Sequence, residues 1–490
     1  MDGIHDLAAV GLVCTDNTDN TDEYRHGLFK LVFYAFLGLL LTPTVASGLV
    51  DSWIDLDEDT NYTARHECSF VQAGDRFYLF GGREQPERID TYDYAADVWT
   101  QSAQAPIPFN HFQATTYEGL VWVIGAFQTN SFPNETPAES VYVYDPAYDV
   151  WMRGPDVPAD RRRGSSGLVV WNERLYVLGG NTAGHNGGYV EWLDAFDPRT
   201  GQWTALADAP QARDHFHAAV IGDRLYAIGG RRSGGPGGTF APLIPEIDVY
   251  DFLTEAWQTL PSQSDLPTPR AAASTAVFQD RILVIGGEGN GQAYETVEAF
   301  DPTTELWASL ASLNHARHGT QAIASGEGVY VIAGSPEQGG GRQRNLEVYN
   351  LDQPSGVASI AGELVGPQSV RLASGLTGLV RLDHVAGNVG IYITKVELSG
   401  PNVDEFELIQ TTAEPFLVGV EEQLSLLIRY SGFVDGHVAS VDVTMSGGQF
   451  LSIPLVGAVA SVQTGRFVPW VLIAGLLAIA LVRIPSTIRG

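Results

Sequence analysis

Cysteine occurs only twice in the 490 residues, as Cys14 and Cys68, so neither a disulfide framework nor a cysteine-built zinc site can be assembled. Lysine is equally scarce, with Lys30 and Lys395 alone, and 28 basic side chains face 58 acidic ones for a formal net charge of −30. That balance repels phosphate backbones, so nucleic acid is not an expected partner. Hydrophobic runs of the roughly 20 residues a membrane helix needs are lacking. The two longest apolar runs, residues 31–41 and 467–482, lie near the ends of the chain. What is abundant is glycine, at 54 residues, alongside 26 prolines and a 44 % hydrophobic content, which describes a turn-rich globular chain. The length allows about three domains at roughly 150 residues each.

The ends read as addresses. Residues 31–41 follow Arg25 and Lys30 and precede a small-residue stretch, 42–47, a pattern that predicts a secretory signal or an N-terminal anchor over residues 1–46. The acidic segment 1–23 is atypical of a signal's leading region, so the true start is expected downstream of Met1. Residues 467–483 predict a transmembrane or sorting helix. Arg483 and Arg489 beyond it would lie in the cytoplasm, leaving the bulk of the chain on the extracytoplasmic side.

Between these ends the chain repeats. Trp99, Trp151, Trp203, Trp257 and Trp307 are separated by 52, 52, 54 and 50 residues, a propeller-blade length. Each follows an aromatic-Asp pair: Tyr92-Asp93, Tyr144-Asp145, Phe196-Asp197, Tyr250-Asp251 and Phe300-Asp301. Each unit also holds an apolar strand closed by glycines, as at Gly81-Gly82, Gly179-Gly180, Gly229-Gly230 and Gly286-Gly287. Gly125-Ala126 and Ala333-Gly334 are degenerate copies, so the units number six. Over residues 53–350 this order of features resembles the kelch repeat, and the resemblance implies an all-β fold, a six-bladed kelch β-propeller spanning residues 51–353. The sixth unit has no tryptophan after Tyr349. Trp53 precedes Arg65 by 12 residues, the spacing found elsewhere between tryptophan and arginine, so the Trp53 strand is expected to close the ring.

After residue 356 the period disappears and short alternating strands begin, such as 389–396 and 424–430. Segments 393–406, 416–430 and 437–457 resemble the hydin-type immunoglobulin-like domains of exported bacterial proteins, which implies a β-sandwich spacer over residues 357–460.

Aligned on the first glycine, the position sixteen residues upstream holds Arg65, Phe109, Arg163, Arg213, Arg270 and Arg317. The next two positions bring His66-Glu67, Asn110-His111, Asp214-His215 and His318-Gly319. A functional reading makes these a funnel at one mouth of the propeller, with arginine forks gripping carboxylates or sugar hydroxyls and His, Glu and Asp as acid–base groups. The ligand-binding candidates are therefore Arg65, His66, Glu67, His111, Arg163, Arg213, Asp214, His215, Arg270, Arg317 and His318. A structural reading has the recurring arginines pair with carboxylates and carbonyls to hold the blades together, leaving the non-repeating residues as the better candidates. His66, His111, His215 and His318 converging on an axis would suit zinc or copper. Only His215-Phe216-His217 offers short ligand spacing, so no metal and no cofactor is expected. The resemblance to galactose oxidase stops at Asn110-His111-Phe112, where that enzyme's cross-linked tyrosine would stand, and Cys68 reads as a small core residue.

The expected function is an exported, membrane-anchored binding module for a protein or carbohydrate ligand outside the cell. The alternative is a sugar mutarotase or epimerase working in the funnel, after the six-bladed periplasmic kelch mutarotase that acts on sialic acid, which this chain resembles in size and placement.

Overall fold

The computed structural model describes residues 51–56, 60–409 and 412–459. The leader, the signal run and the helix expected over 467–483 lie outside them. Among the described residues regular structure is almost entirely strand, broken by five three-residue 3-10 turns. No helix among them is long and apolar enough to cross a membrane.

Residues 53–349 form six four-stranded antiparallel sheets. Four use consecutive strands, and the fifth does so around a short hairpin of Glu288–Gly289 and Gln292–Ala293. The sixth takes Ala322–Ser325, Gly328–Val331 and Glu347–Tyr349 and is completed by Trp53–Asp55, with Trp53 opposite Tyr349. The innermost strands are Cys68–Ala73, Ala114–Tyr117, Gly167–Trp171, Ala218–Ile221, Ser274–Phe278 and Ala322–Ser325. They contact one another in that order and the last meets the first, so the sheets stand around a common axis as in a propeller.

The repeating residues explain this arrangement locally. In every sheet the aromatic of the third strand lies directly across from the tryptophan of the fourth, as Tyr92–Trp99, Tyr144–Trp151, Phe196–Trp203, Tyr250–Trp257, Phe300–Trp307 and Tyr349–Trp53, with ring centroids 4.9 to 5.4 Å apart. The following aspartate fixes the turn between those strands: Asp251 Oδ1 accepts the backbone N–H groups of Leu253 and Thr254 at 3.0 Å, and Asp93, Asp145 and Asp301 do the same in their sheets. In three sheets the tryptophan also ties the sheet to its predecessor. Trp257 and Trp307 donate their indole N–H to Ala207 and Ser264, and Trp53 donates to Ala311 at 3.0 Å, so the N-terminal tryptophan does in the sixth sheet what these two do in theirs. Apolar clusters fill the spaces between neighbouring sheets; Leu79, Phe77 and Trp99, for example, pack with Tyr330, Ile332 and Val348 where the sixth sheet meets the first.

The C-terminal residues form two more sheets. Glu363–Val365, Thr377–Ala386, Gln423–Tyr430 and Phe406–Leu408 make one, and Val370–Ala373, Phe450–Ala458, Val438–Met445, Ile391–Ser399 and Phe416–Val418 the other. Burial alternates strictly along Gln423–Tyr430, and the inward residues of both sheets share one apolar core. This unit packs on the strand turns opposite the glycine-closed ends: Arg199 bonds Glu422 at 2.8 Å and Tyr117 at 2.5 Å, and Tyr392 packs on Trp122.

Candidate functional site

The glycine-closed ends of the sheets come together at one mouth of the channel, and the five arginines hold them there. Each guanidinium reaches the carbonyl sixteen residues on: Gly81, Gly179, Gly229, Gly286 and Ala333 accept from Arg65, Arg163, Arg213, Arg270 and Arg317 at 2.6 to 2.9 Å. Each also pairs with a buried carboxylate on the third strand of its own sheet, respectively Asp90, Asp194, Asp248, Glu298 and Glu347. Their main-chain carbonyls face the preceding sheet, whose second glycine donates to them, as from Gly180 to Arg213 at 2.8 Å and, across the closure, from Gly334 to Arg65 at 2.8 Å. A side chain at Gly179, which sits at φ +59°, would place its Cβ 2.5 Å from the Arg213 carbonyl, hence glycine. Burial pushes all five guanidinium pKa values down, to about 10 at Arg163, while the carboxylates hold the charge in place. The second sheet shows what the column is for. There Phe109 replaces arginine and Tyr142 replaces the carboxylate, the two rings meeting edge to face at 5.1 Å. Fully buried and committed within their sheets, Arg65, Arg163, Arg213, Arg270 and Arg317 are not brought to the channel as ligand forks.

The residues two positions later do line it. Glu67, His111, Ser165, His215, Ala272 and Gly319 all have positive φ, between 48° and 67°. From His111 to Gly319 each donates its N–H to the carbonyl of the preceding one at 2.6 to 3.1 Å, and Cys68 N–H closes the circle onto Gly319 at 3.2 Å. Left-handed backbone costs about 1 kcal/mol at each non-glycine residue. The ring of bonds offsets that cost and turns these side chains toward the axis. They surround a cavity of ≈ 20 Å³, room for about one water. Beyond it two amides cross-link the inner strands. Gln113 accepts from Leu168 and Ala218 and donates back to Ala218, and Gln321 exchanges two bonds with Ala114, all at 2.9 to 3.1 Å.

Around this throat lies a buried polar network. Glu67 sits 3.5 Å from His111 and 3.6 Å from His318, and His318 lies 3.4 Å from Glu288. Glu288 is ion-paired to Arg231, Arg231 donates to Ser233 at 2.9 Å, and Ser233 donates to Asp214 at 2.6 Å. Asp214 Oδ1 is 2.5 Å from His215 Nδ1. Burial raises the Glu67 carboxyl, but the imidazoles of His111, His318 and His215 more than offset this and hold it well below the usual carboxylate range. Burial lowers His318, yet Glu288 and Glu67 outweigh it and push its pKa up. Burial pushes His111 and His215 down, against the opposing pull of Glu67 on His111 and of Asp214 on His215. His66 stands aside, with Nδ1 3.0 Å from Glu84 and its ring 6.3 Å from that of His318.

The histidines do not gather as the sequence suggested. His111 and His215 are joined by His185, and one ligand atom from each lies within 4.8 Å of the others, while His66 and His318 stay outside the cluster. His185 sits in the turn Gly184–Asn186, in the loop between the second and third strands of its sheet, and no other unit carries a histidine in that loop, so no period could have found it. Arg83, Arg231 and Glu288 were legible. They occupy the position two after the first glycine, which pairs within its own unit with the residue seventeen before it, as Asp214 with Arg231 and Ala271 with Glu288.

Comparisons with known proteins agree with this architecture. Residues 152–334 match the family described as the KLHDC2/KLHL20/DRC7 kelch-repeats domain. The chain is 27 % identical over 334 residues to the Kelch-like protein terF of Aspergillus terreus, covering 62 % of this chain and 70 % of that one. It is 24 % identical over 283 residues to human Kelch-like protein 23, covering 56 % of this chain and only 46 % of that longer protein. Among solved structures, that of YjhT superposes with a TM-score of 0.50 at 17 % identity, covering 58 % of this chain and 94 % of the other. These matches support a kelch β-propeller.

Proposed function

We propose that this chain is a six-bladed kelch propeller that binds a protein partner at the mouth ringed by Glu67, His111, Ser165 and His215. One observation carries the reading: the recurring arginines are committed within their sheets, so only the non-repeating residues and the loops above them are left to read a ligand. Those loops present apolar as well as charged groups. Phe132 is 57 % exposed beside Arg83 and His185, a rim suited to a protein surface. Kelch-repeat relatives support an interaction module in general. The sugar-mutarotase alternative loses the carboxylate grip expected of the arginine column, and the throat itself has room for about one water.

The propeller is read as working outside the cytoplasm, anchored through residues 467–483, on the strength of the apolar runs at both ends of the sequence. The C-terminal unit is read as an immunoglobulin-like spacer, a reading supported by its two facing sheets and by its position on the side of the propeller away from the histidine mouth.

A photo-crosslinking residue placed at Phe132, with a second chain carrying it at Phe433 as control, tests this in the native host. Phe433 is 87 % exposed on the C-terminal unit. A discrete adduct from position 132 and none from 433 is expected. The same adduct from both, or none from either, would overturn the proposal.

A further inference from the structure

We propose that His111, His185 and His215 form a binding site for a single divalent ion of the zinc class at the mouth of the propeller. The site stands independently of whether the mouth engages a protein.

The three imidazoles come from three separate segments yet pack edge to face, with centroids 4.9 Å apart for His111–His215, 5.0 Å for His185–His215 and 5.1 Å for His111–His185. Each has its Nδ1 occupied by an oxygen: Asn110 Oδ1 at 2.7 Å for His111, Glu135 Oε2 at 3.1 Å for His185 and Asp214 Oδ1 at 2.5 Å for His215. The Asn110 amide is oriented by donating its nitrogen to the carbonyls of Thr129 and Pro108, which leaves the oxygen for His111. These partners assign the proton of all three rings to Nδ1, which leaves Nε2 as the ligand atom, with His111 Nε2 also 3.5 Å from Glu67 Oε2. Oxygen acceptors behind ligating histidines are the arrangement metal sites use to fix the tautomer and raise ligand basicity.

A second observation points to a ligand. His215 Nε2 is buried and has no hydrogen-bond partner, and a buried polar atom left bare is costly unless something occupies it. Ligand atoms within 4.8 Å compare with about 3.3 Å between nitrogens in tetrahedral zinc, a gap that small side-chain rotations close. Arg83 Nη2 lies 3.4 Å from His111 Nε2, but its stronger bonds run to Glu135 at 2.6 Å and Asn130 at 2.7 Å, so it can give way. Three nitrogens with no sulfur select Zn²⁺ and its neighbours Ni²⁺, Cu²⁺ and Co²⁺ over Mg²⁺ or Ca²⁺. Three protein ligands leave the fourth position open toward the ≈ 20 Å³ cavity that Glu67 also lines, which is room for one water.

The test uses the full chain without a histidine tag, stripped with chelator and titrated with Zn²⁺ by calorimetry and with Co²⁺ by its visible absorption. His185→Ala is the informative variant because its turn lies outside the strand core, and His66→Gln serves as control. One ion per chain is expected, with affinity falling at least 100-fold in His185→Ala, unchanged in His66→Gln, and with added Zn²⁺ raising the thermal midpoint of the parent only. Absence of binding by the folded parent, or undiminished binding by His185→Ala, would overturn the site.

Discussion

Replacing Arg213 separates the two roles open to the arginine column. Its guanidinium donates to Ala227 O at 3.1 Å, Gly229 O at 2.9 Å, Glu246 O at 3.1 Å and Asp248 Oδ2 at 2.6 Å, with both side chains at most 1 % exposed. Arg213→Phe removes all four bonds and leaves the Asp248 carboxylate buried with only the Thr259 hydroxyl, at 2.6 Å, for company. Breaking one side of a buried pair costs about 3–5 kcal/mol, much of it the stranded charge. The second sheet supplies the compensating change, since Phe109 and Tyr142 occupy the equivalent positions there. Arg213→Phe/Asp248→Tyr should therefore recover about half of the loss, the rest being the carbonyls of Gly229 and Glu246 left without their donor. Equilibrium urea unfolding of the full chain, followed by tryptophan fluorescence, reads both numbers. A single variant that loses less than about 1 kcal/mol, or a double variant no better than the single, would refute the clamp.

Three further perturbations test other joints. Gln113→Leu strips partners from the Leu168 and Ala218 backbone groups and should cost about 3 kcal/mol, seen as a lower calorimetric midpoint. Arg199→Ala cuts the bonds to Glu422, Tyr117 and Glu118 and should loosen the C-terminal unit by about 1–2 kcal/mol; faster proteolysis of segment 352–362 with an intact propeller fragment is the expected sign. Burial pushes the Cys68 thiol up to about 12, so at pH 8 only about one molecule in ten thousand carries the thiolate. In a Cys14→Ser background, a disulfide reagent should leave the native chain untouched at pH 8 and react once denaturant is added; rapid native labelling would contradict the burial.

Much of this was legible because propeller packing is repetitive. Each tryptophan must meet the same aromatic, each aspartate the same turn, and each glycine the same carbonyl, so physical necessity leaves a period near fifty residues. The Trp53 closure could be read from spacing alone for that reason, and Trp53 lies opposite Tyr349. The arginine column was visible for the same reason, and its recurrence argued for cement. The carboxylate two residues before each aromatic, exchanged for Tyr142 where Phe109 replaces arginine, was the signal that would have decided the matter.

The mouth was less legible. Positions of the ring could be aligned, but not the left-handed backbone at Glu67, His111 and His215, since such residues ordinarily sit at other angles and are held here by bonds from neighbouring sheets. His185 had no repeat to betray it. It reaches His111 and His215 only because its loop arches over the closed ring, and Glu135 reaches it from another sheet's loop, fifty residues away.

The sequence by itself determined the repeat, the order of strands within each sheet and the identity of the closing tryptophan, because these follow from contacts between residues at a fixed distance along the chain. Tertiary structure alone decided which side chains face one another across the axis, how narrow the throat is and which histidines share a centre. Those contacts join residues from different sheets, their geometry is set by the closure of the whole ring, and no local period records it.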